Sequence, residues 1–462
     1  MTSVTSSTES ATRPITTTGD VHGRAFTATA IFCIAFLAFI AGSLTMYLQV
    51  LPADILRRAF QGGLAALDRA TSYADATATD LWQDARSADR GVVRHDPTKA
   101  LQGLTLYSSS DDQRALLIDM QGRVVHQWAL PYSQIWEKGS PVANPQRDAL
   151  VYLEKAHVFP NGDLLALYSA IGDTPWGYGL VKMNRNSEVI WKYLGHAHHD
   201  FDIDANGNIV VLTQEISEAA LPGLDDLNRP RIDDFIVKLS PDGKELDKLW
   251  MPGAFAQSPF GRRLRFAPWE AQHKTGDFLH ANSVDILRHS IPGIAASRPG
   301  QVLVSFRDIS TIALFDLEAQ RVVWALTGPW FRQHDAQFLP NGRLLLFDNE
   351  GTPDIGYGRS RVLELDTATL AIVWSYGGRA QQQLDSVARA SQTRLANGNT
   401  LVVESFGGRL LEVTPSGEVA WEFVNPVRGG PQGDRVPIIS WAQRIRPQED
   451  LEPSFRDRLL LN

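Results

Sequence analysis

Four Asn-Gly turns constrain this chain more than any other feature. Pro160-Asn161-Gly162, Ala205-Asn206-Gly207, Pro340-Asn341-Gly342 and Ala396-Asn397-Gly398 each stand between two β-rich runs. Asn-Gly between strands is the strongest short hairpin signal, because both central residues of a type I′ turn need positive φ. Two more strands follow each hairpin, the last ending near Trp128, Trp191, Trp250, Trp324, Trp374 or Trp421. The clearest unit reads HDAQFL (334–339), RLLLFDN (343–349), RVLELD (361–366) and AIVWSY (371–376), lettered A to D. Four-strand units at roughly 40–75-residue spacing describe a β-propeller, since one blade cannot bury both its faces alone. The first copy has strands B to D (104–108, 115–120, 124–128) but no A, and the C-terminus offers a spare one, SWAQRIR (440–446). A blade built from both chain ends closes a six-bladed ring and removes its open edges. A β-sandwich or stacked barrels would leave those orphan strands unexplained. The expected class is therefore all-β, a six-bladed β-propeller over residues 98–450.

What precedes the propeller differs in kind. Residues 1–24 are rich in Ser and Thr and read as a disordered N-terminal tail. Residues 25–50 (AFTATAIFCIAFLAFIAGSLTMYLQV) carry no charge, and about 20 apolar residues suffice to cross a bilayer. Ala41-Gly42-Ser43 would serve as a signal-peptide cleavage site, but the long n-region and apolar run fit an uncleaved transmembrane anchor better. Arg13 and Arg24 before the span and Arg57, Arg58 and Arg69 after it leave orientation undecided. Residues 51–97 mix Ala, Leu, Asp and Arg with few breakers and predict a helical stalk. Residues 451–462 are expected to form a C-terminal tail. The single cysteine, Cys33, lies in the apolar run and excludes a disulfide framework or Cys-based metal site. A net charge of -8 without a basic run argues against nucleic-acid binding.

The repeat also predicts where the chemistry sits. Strand A of a propeller lines the central channel. Aligning its first residues gives one column, Glu154, His199, His280, His334, Ala390 and Ser440. Only 11 of 462 residues are His, so three in six such positions far exceeds composition. The end of strand B lies beside the start of A, which brings in Arg307, and Asn282 shares a face with His280. His199, His280, Asn282, Arg307 and His334 thus predict a cationic, donor-rich pocket suited to a tetrahedral oxyanion. A histidine there can act as nucleophile and its neighbours as general acid and base. Three histidines could instead ligate a metal, though Arg307 would repel it. The long 251–279 connection carries Phe255, Phe260, Phe266 and Trp269, which could cover a flat apolar ligand or simply pack within the loop.

The stretches HHDFDIDANGN (198–208), DFLHANSVDIL (277–287), RDIST (307–311) and QHDAQFLPNGRLLLFDN (333–349) resemble the bacterial aryl-sulfate sulfotransferases. So do SQTRLANGNTLVVES (391–405) and GRLLEVTPSGEVAWEF (408–423). The resemblance implies transfer of a sulfuryl group from an aryl sulfate to a phenolic acceptor, with no nucleotide sulfate donor and no cofactor. It implies that His334 is transiently sulfated, while His199, His280, Asn282 and Arg307 hold the group and move protons. It further implies an inner-membrane protein whose propeller faces the periplasm, with the bilayer met through residues 25–50. The added N-terminal β-rich domain and the disulfide near the active site of soluble family members have no counterpart here. Two other readings stay open: a non-catalytic tethered propeller that binds a partner, and a metal-dependent propeller hydrolase.

Overall fold

A computed structural model describes residues 19–48, 50, 73–224, 227, 229–266, 276–350, 360–380 and 382–459. The chain divides into two compact units, Met1–Thr71 and Ser72–Asn462. In the first, Gly19–Leu48 is one α-helix. Its stretch Phe26–Leu48 is long and apolar enough to cross a membrane, a property a signal sequence shares. Cys33 is exposed on this helix as a free thiol.

The second unit is a six-bladed propeller of antiparallel sheets. From the channel outward, blade one is Ile439–Ile445, Leu104–Ser109, Arg114–Ile118 and Val124–Ala129. Blade two is Val151–Val158, Leu164–Ala170, Gly177–Met183 and Val189–Tyr193, and blade three Ala197–Ile203, Ile209–Ser217, Arg231–Leu239 and Glu245–Trp250. Blade four is Ala281–Ile286, Val302–Phe306, Thr311–Asp316 and Arg321–Thr327, and blade five His334–Phe338, Leu344–Asp348, Arg361–Leu365 and Ile372–Tyr376. Blade six is Ser391–Arg394, Thr400–Glu404, Arg409–Val413 and Val419–Val424. The C-terminal strand closes the ring as expected, pairing Ile439↔Ser109 through Ile445↔Leu104. Second strands lie between neighbouring blades and are buried on both faces, as in Leu164–Ala170.

Two repeated devices join the blades. The inner strand of each sheet has a free edge whose N–H groups need partners. Side chains of the preceding blade supply them. Asp200 accepts from Val284 N at 2.9 Å and Asp202 from Ile286 N at 2.8 Å. Ser283 accepts from Ala336 N at 3.1 Å, Asp285 from Phe338 N at 3.1 Å and Asp335 from Gln392 N at 2.8 Å. On the outer strands, tryptophan reaches across to the next blade. Trp128 Nε1 donates to Gly162 O at 3.1 Å, Trp191 to Pro241 O at 3.0 Å, Trp374 to Pro415 O at 3.0 Å and Trp421 to Met120 O at 3.1 Å.

Two expectations are corrected. The Asn-Gly hairpins are not type I′ turns, because only the glycine has positive φ, 87° at Gly162 and 79° at Gly342. Gly162 N donates to Phe159 O at 2.9 Å, which makes Pro160 and Asn161 the centre of a type I turn followed by a glycine bulge. Proline suits the first central position of that turn. The helical stalk also fails from Tyr73 onward; residues 51–72 lie outside the described residues. Trp82–Asp84 is a strand paired with Arg435–Pro437, and Gly91–His95 adds a fifth strand to blade six along Val419–Val424. The β-branched Val92 and Val93 favour extended backbone, and Val92 packs on the core under blade six. At the C-terminus, Pro453–Leu459 is a helix whose Phe455 and Leu459 are buried in the core of blades one and two.

Candidate functional site

The inner strands begin at one mouth of the channel, and a β-bulge interrupts five of them there. The register shifts at Glu154, at His199 and Asp200, at Asn282, at Asp335 and Ala336, and at Ser440. A bulge re-aims side chains, which is why such irregularities gather at sites. His199 and His280 also have positive φ, 56° and 54°, unfavourable for a non-glycine residue and typical of strained functional positions.

The inter-blade ladder corrects the column. Asp202 and Asp285 accept from equivalent N–H groups, Ile286 and Phe338, so Asn282 is the residue equivalent to His199 and His334. His280 lies two residues earlier. Blade four has no Asn-Gly turn from which to count, and its longer hairpin hides the offset. His280 reaches the site nonetheless. Its ring centroid lies 5.0 Å from that of His199, and Trp176 stacks on it at 5.3 Å.

Each histidine has a distinct setting. His334 Nδ1 faces two carbonyl oxygens, Asn349 Oδ1 at 2.7 Å and Arg332 O at 3.2 Å. Only an N–H satisfies both, so Nε2 carries the lone pair, and Arg389 N donates to it at 3.3 Å. Asn349 cannot flip, because its amide nitrogen donates to Ser386 O at 2.7 Å and Arg389 O at 2.8 Å. His199 Nδ1 accepts from the indole of Trp176 at 3.4 Å and lies 2.7 Å from His198 Nδ1. Since an indole nitrogen can only donate, the His199 proton belongs on Nε2. His280 Nδ1 is 2.5 Å from Asp277 Oδ2.

The electrostatics follow. Burial, then the Arg307 charge, pushes His334 down to about 3. Burial and the His280 charge hold His199 well below the usual imidazole range. Burial works against charge on His280, but Asp277 outweighs it and raises the group. The site is therefore not the uniformly cationic pocket expected. His280, Arg307 and Arg389 carry positive charge there, and Asp277 and Asp308 sit against the first two, Asp308 2.9 Å from Arg307. Asn282 gives one N–H to Gln333 O at 2.8 Å and keeps a buried Oδ1 without a partner. The Arg307 Nε is likewise buried and unpartnered. One cavity is lined by Glu154, His199, Asn282, His334 and Arg389.

The metal alternative changes shape. Among the described residues, the ligand-capable group is Asp277, His280 and Asp308, not the three histidines. Its members are already committed to one another and to Arg307.

The arylsulfotransferase (ASST) family model matches residues 155–426, more than half of the chain. The chain belongs to the arylsulfotransferase family. The match starts in the inner strand of blade two and ends after blade six, so it contains His199, His280, Asn282, Arg307 and His334. No curated protein matches the chain. Among solved structures, a protein of unknown function from Bacteroides caccae is 15% identical, with a TM-score of 0.47, over 75% of this chain and 100% of that one. Virginiamycin B lyase from Staphylococcus aureus is 10% identical, with a TM-score of 0.33, over 60% of this chain and 71% of that one.

Sequence reasoning misses several members of this candidate site. Trp176 stacks on it from blade two. Asp277 lies three residues before His280, a spacing visible in DFLHAN that by itself reads only as part of a motif. Asn349 ends FDN, and Arg389 arrives on the connection into blade six. The aromatic cover splits: Phe255 is core, 5.7 Å from Phe306, Phe260 is half-buried, and Trp269 lies outside the described residues, as does the Phe266 side chain. Ser391 lines the cavity, whereas Gln392 holds blades together through Asp335.

Proposed function

We propose that this protein transfers a sulfuryl group from an aryl sulfate ester to a phenolic acceptor through a sulfohistidine at His334. The observation that carries this reading is the His334 ring, buried and neutral, with Nδ1–H tied to Asn349 and Arg332 and the Nε2 lone pair in the shared cavity. In the first half-reaction Nε2 forms a bond to sulfur while the S–O(aryl) bond breaks. The electron pair leaves on the aryl oxygen, which takes a proton from the His280 imidazolium held charged by Asp277. Arg307, Asn282 and the His199 Nε2–H offset charge on the sulfuryl oxygens. The acceptor phenol then attacks sulfo-His334 and returns its proton to His280, so the cycle is ping-pong and proton-neutral.

No cofactor is assigned a step. In this reading the propeller lies in the periplasm, tethered to the inner membrane by Phe26–Leu48, which would present the site to small phenols outside the cytoplasm. Acceptor-dependent nitrophenolate release from 4-nitrophenyl sulfate, unchanged by EDTA, tests the reaction. Release abolished by EDTA would favour the metal hydrolase, and no release from folded protein would favour the binding propeller.

A further inference from the structure

Deep arginines in this propeller come with carboxylates. Arg231 pairs with Asp233 at 2.5 Å, Arg444 with Glu412 at 3.1 Å, and Arg409 with both Glu404 and Glu422. That is expected, since a guanidinium shut away from water without an anion is costly. Arg389, half-buried at the cavity, departs from the pattern. It lines the cavity with His334 and His199, yet no carboxylate pairs with it among the described residues. Its guanidinium lies 5.7 Å from the Tyr152 ring, and the Glu154 and Asp80 charges act on it only through space.

Glu154 is otherwise engaged. It accepts from Ser169 Oγ at 2.5 Å, His199 N at 2.9 Å and Tyr152 Oη at 3.3 Å. It bonds Tyr152 and makes no ion pair with the guanidinium. The backbone is also shaped for this placement: Arg389 and Ala390 both have positive φ, 59° and 77°. That turn aims Arg389 N at His334 Nε2, 3.3 Å away, the atom that would bond to sulfur.

We propose that Arg389 is a second anion-binding residue of the site, taking a sulfate oxygen with its guanidinium while its N–H passes from His334 Nε2 to the sulfuryl group. The inference deepens the transferase reading and rests on it for the identity of the anion. As the Nε2–S bond forms, the Nε2 lone pair is consumed and the Arg389 N–H loses its acceptor. A sulfuryl oxygen one bond away replaces it. Arg389 thereby binds the group from the blade-six side, and Arg307 from the blade-four side. A planar guanidinium matches two sulfate oxygens at once, which lysine cannot.

The test is inorganic sulfate binding to the full-length protein in detergent, by titration calorimetry, beside 4-nitrophenyl sulfate turnover in the same preparation. A charge-assisted contact of this kind is worth about ten- to a hundredfold in affinity. Arg389→Met is expected to weaken sulfate binding by that factor, and Arg389→Lys by less. Unchanged affinity in Arg389→Met, alongside a loss in Arg307→Met, would overturn the proposal. Should the Met variant not fold, an unweakened Lys variant overturns it instead. Arg389-dependent binding without wild-type turnover would remove the transferase reading and keep the anion site. Turnover with binding indifferent to Arg389 would do the reverse.

Discussion

At the scale of single residues, the site depends on keeping identical imidazoles in different protonation states. His334 must be a neutral base and His280 a charged acid, and the difference comes from neighbours that set each ring. Asp277 is the neighbour that counts for His280. Removing its charge in Asp277→Asn should lower the His280 pKa, so the loss of kcat/KM as pH rises through that value should move to lower pH. A pH–rate profile with the same alkaline limb in wild type and variant would refute the assignment of His280 as acid. Sequence makes His199, His280, Asn282, Arg307 and His334 legible because each stands at or beside a repeated strand position. Trp176, Asp277, Asn349 and Arg389 stand at strand ends and on connections, where the repeat sets no register. Trp176 and Arg389 act through contacts with another blade, whereas Asp277 and Asn349 act on histidines of their own blade from outside the repeated strand positions.

At the scale of the element, a blade is held by what its neighbour offers. Trp128 is fully buried, packs near Phe455 and donates to the Gly162 carbonyl of the next blade. Trp191 makes the same kind of bond from a half-exposed position. Trp128→Ala should therefore cost about 3–5 kcal/mol by denaturant unfolding, a large-to-small core loss, and Trp191→Ala clearly less. Equal losses would mean that the shared bond, not burial, dominates. The six tryptophans and the Asn-Gly turns make the blade count legible in the sequence, because both recur at fixed points of the unit. The turn type is not legible in the same way, since Pro-Asn-Gly fits a type I turn with a glycine bulge as well as its mirror image. The segment after residue 73 resembles a helix in composition, but its strands find partners more than three hundred residues away, and no local pattern announces that pairing.

For the whole molecule, the channel concentrates buried groups that titrate in opposite senses. Burial first, and neighbouring carboxylates second, push Asp234 and Asp285 up to about 8 and Asp335 to about 7. These groups hold protons in the fold that the unfolded chain releases near 3.8, so their stabilisation is lost as pH rises toward 8. His280, raised, acts in the same direction. His334 and His199, lowered, take no proton in the fold while the unfolded chain takes one below about 6.5, so they destabilise the fold only on the acid side. The melting temperature should consequently rise as pH falls from about 8.5 to about 6.5 and rise less steeply below that, where the two lowered histidines offset part of the carboxylate effect. A flat or falling trend across the upper interval, by calorimetry, would contradict these directions. The central claim is that His334 carries the sulfuryl group between donor and acceptor. Its most direct test is the intact mass of the protein after exposure to 4-nitrophenyl sulfate without acceptor. The account predicts a single sulfuryl adduct on His334, lost on adding phenol and absent in His334→Ala, with turnover reduced on the order of 10³-fold or more. An adduct on another residue, or wild-type turnover in His334→Ala, would contradict it.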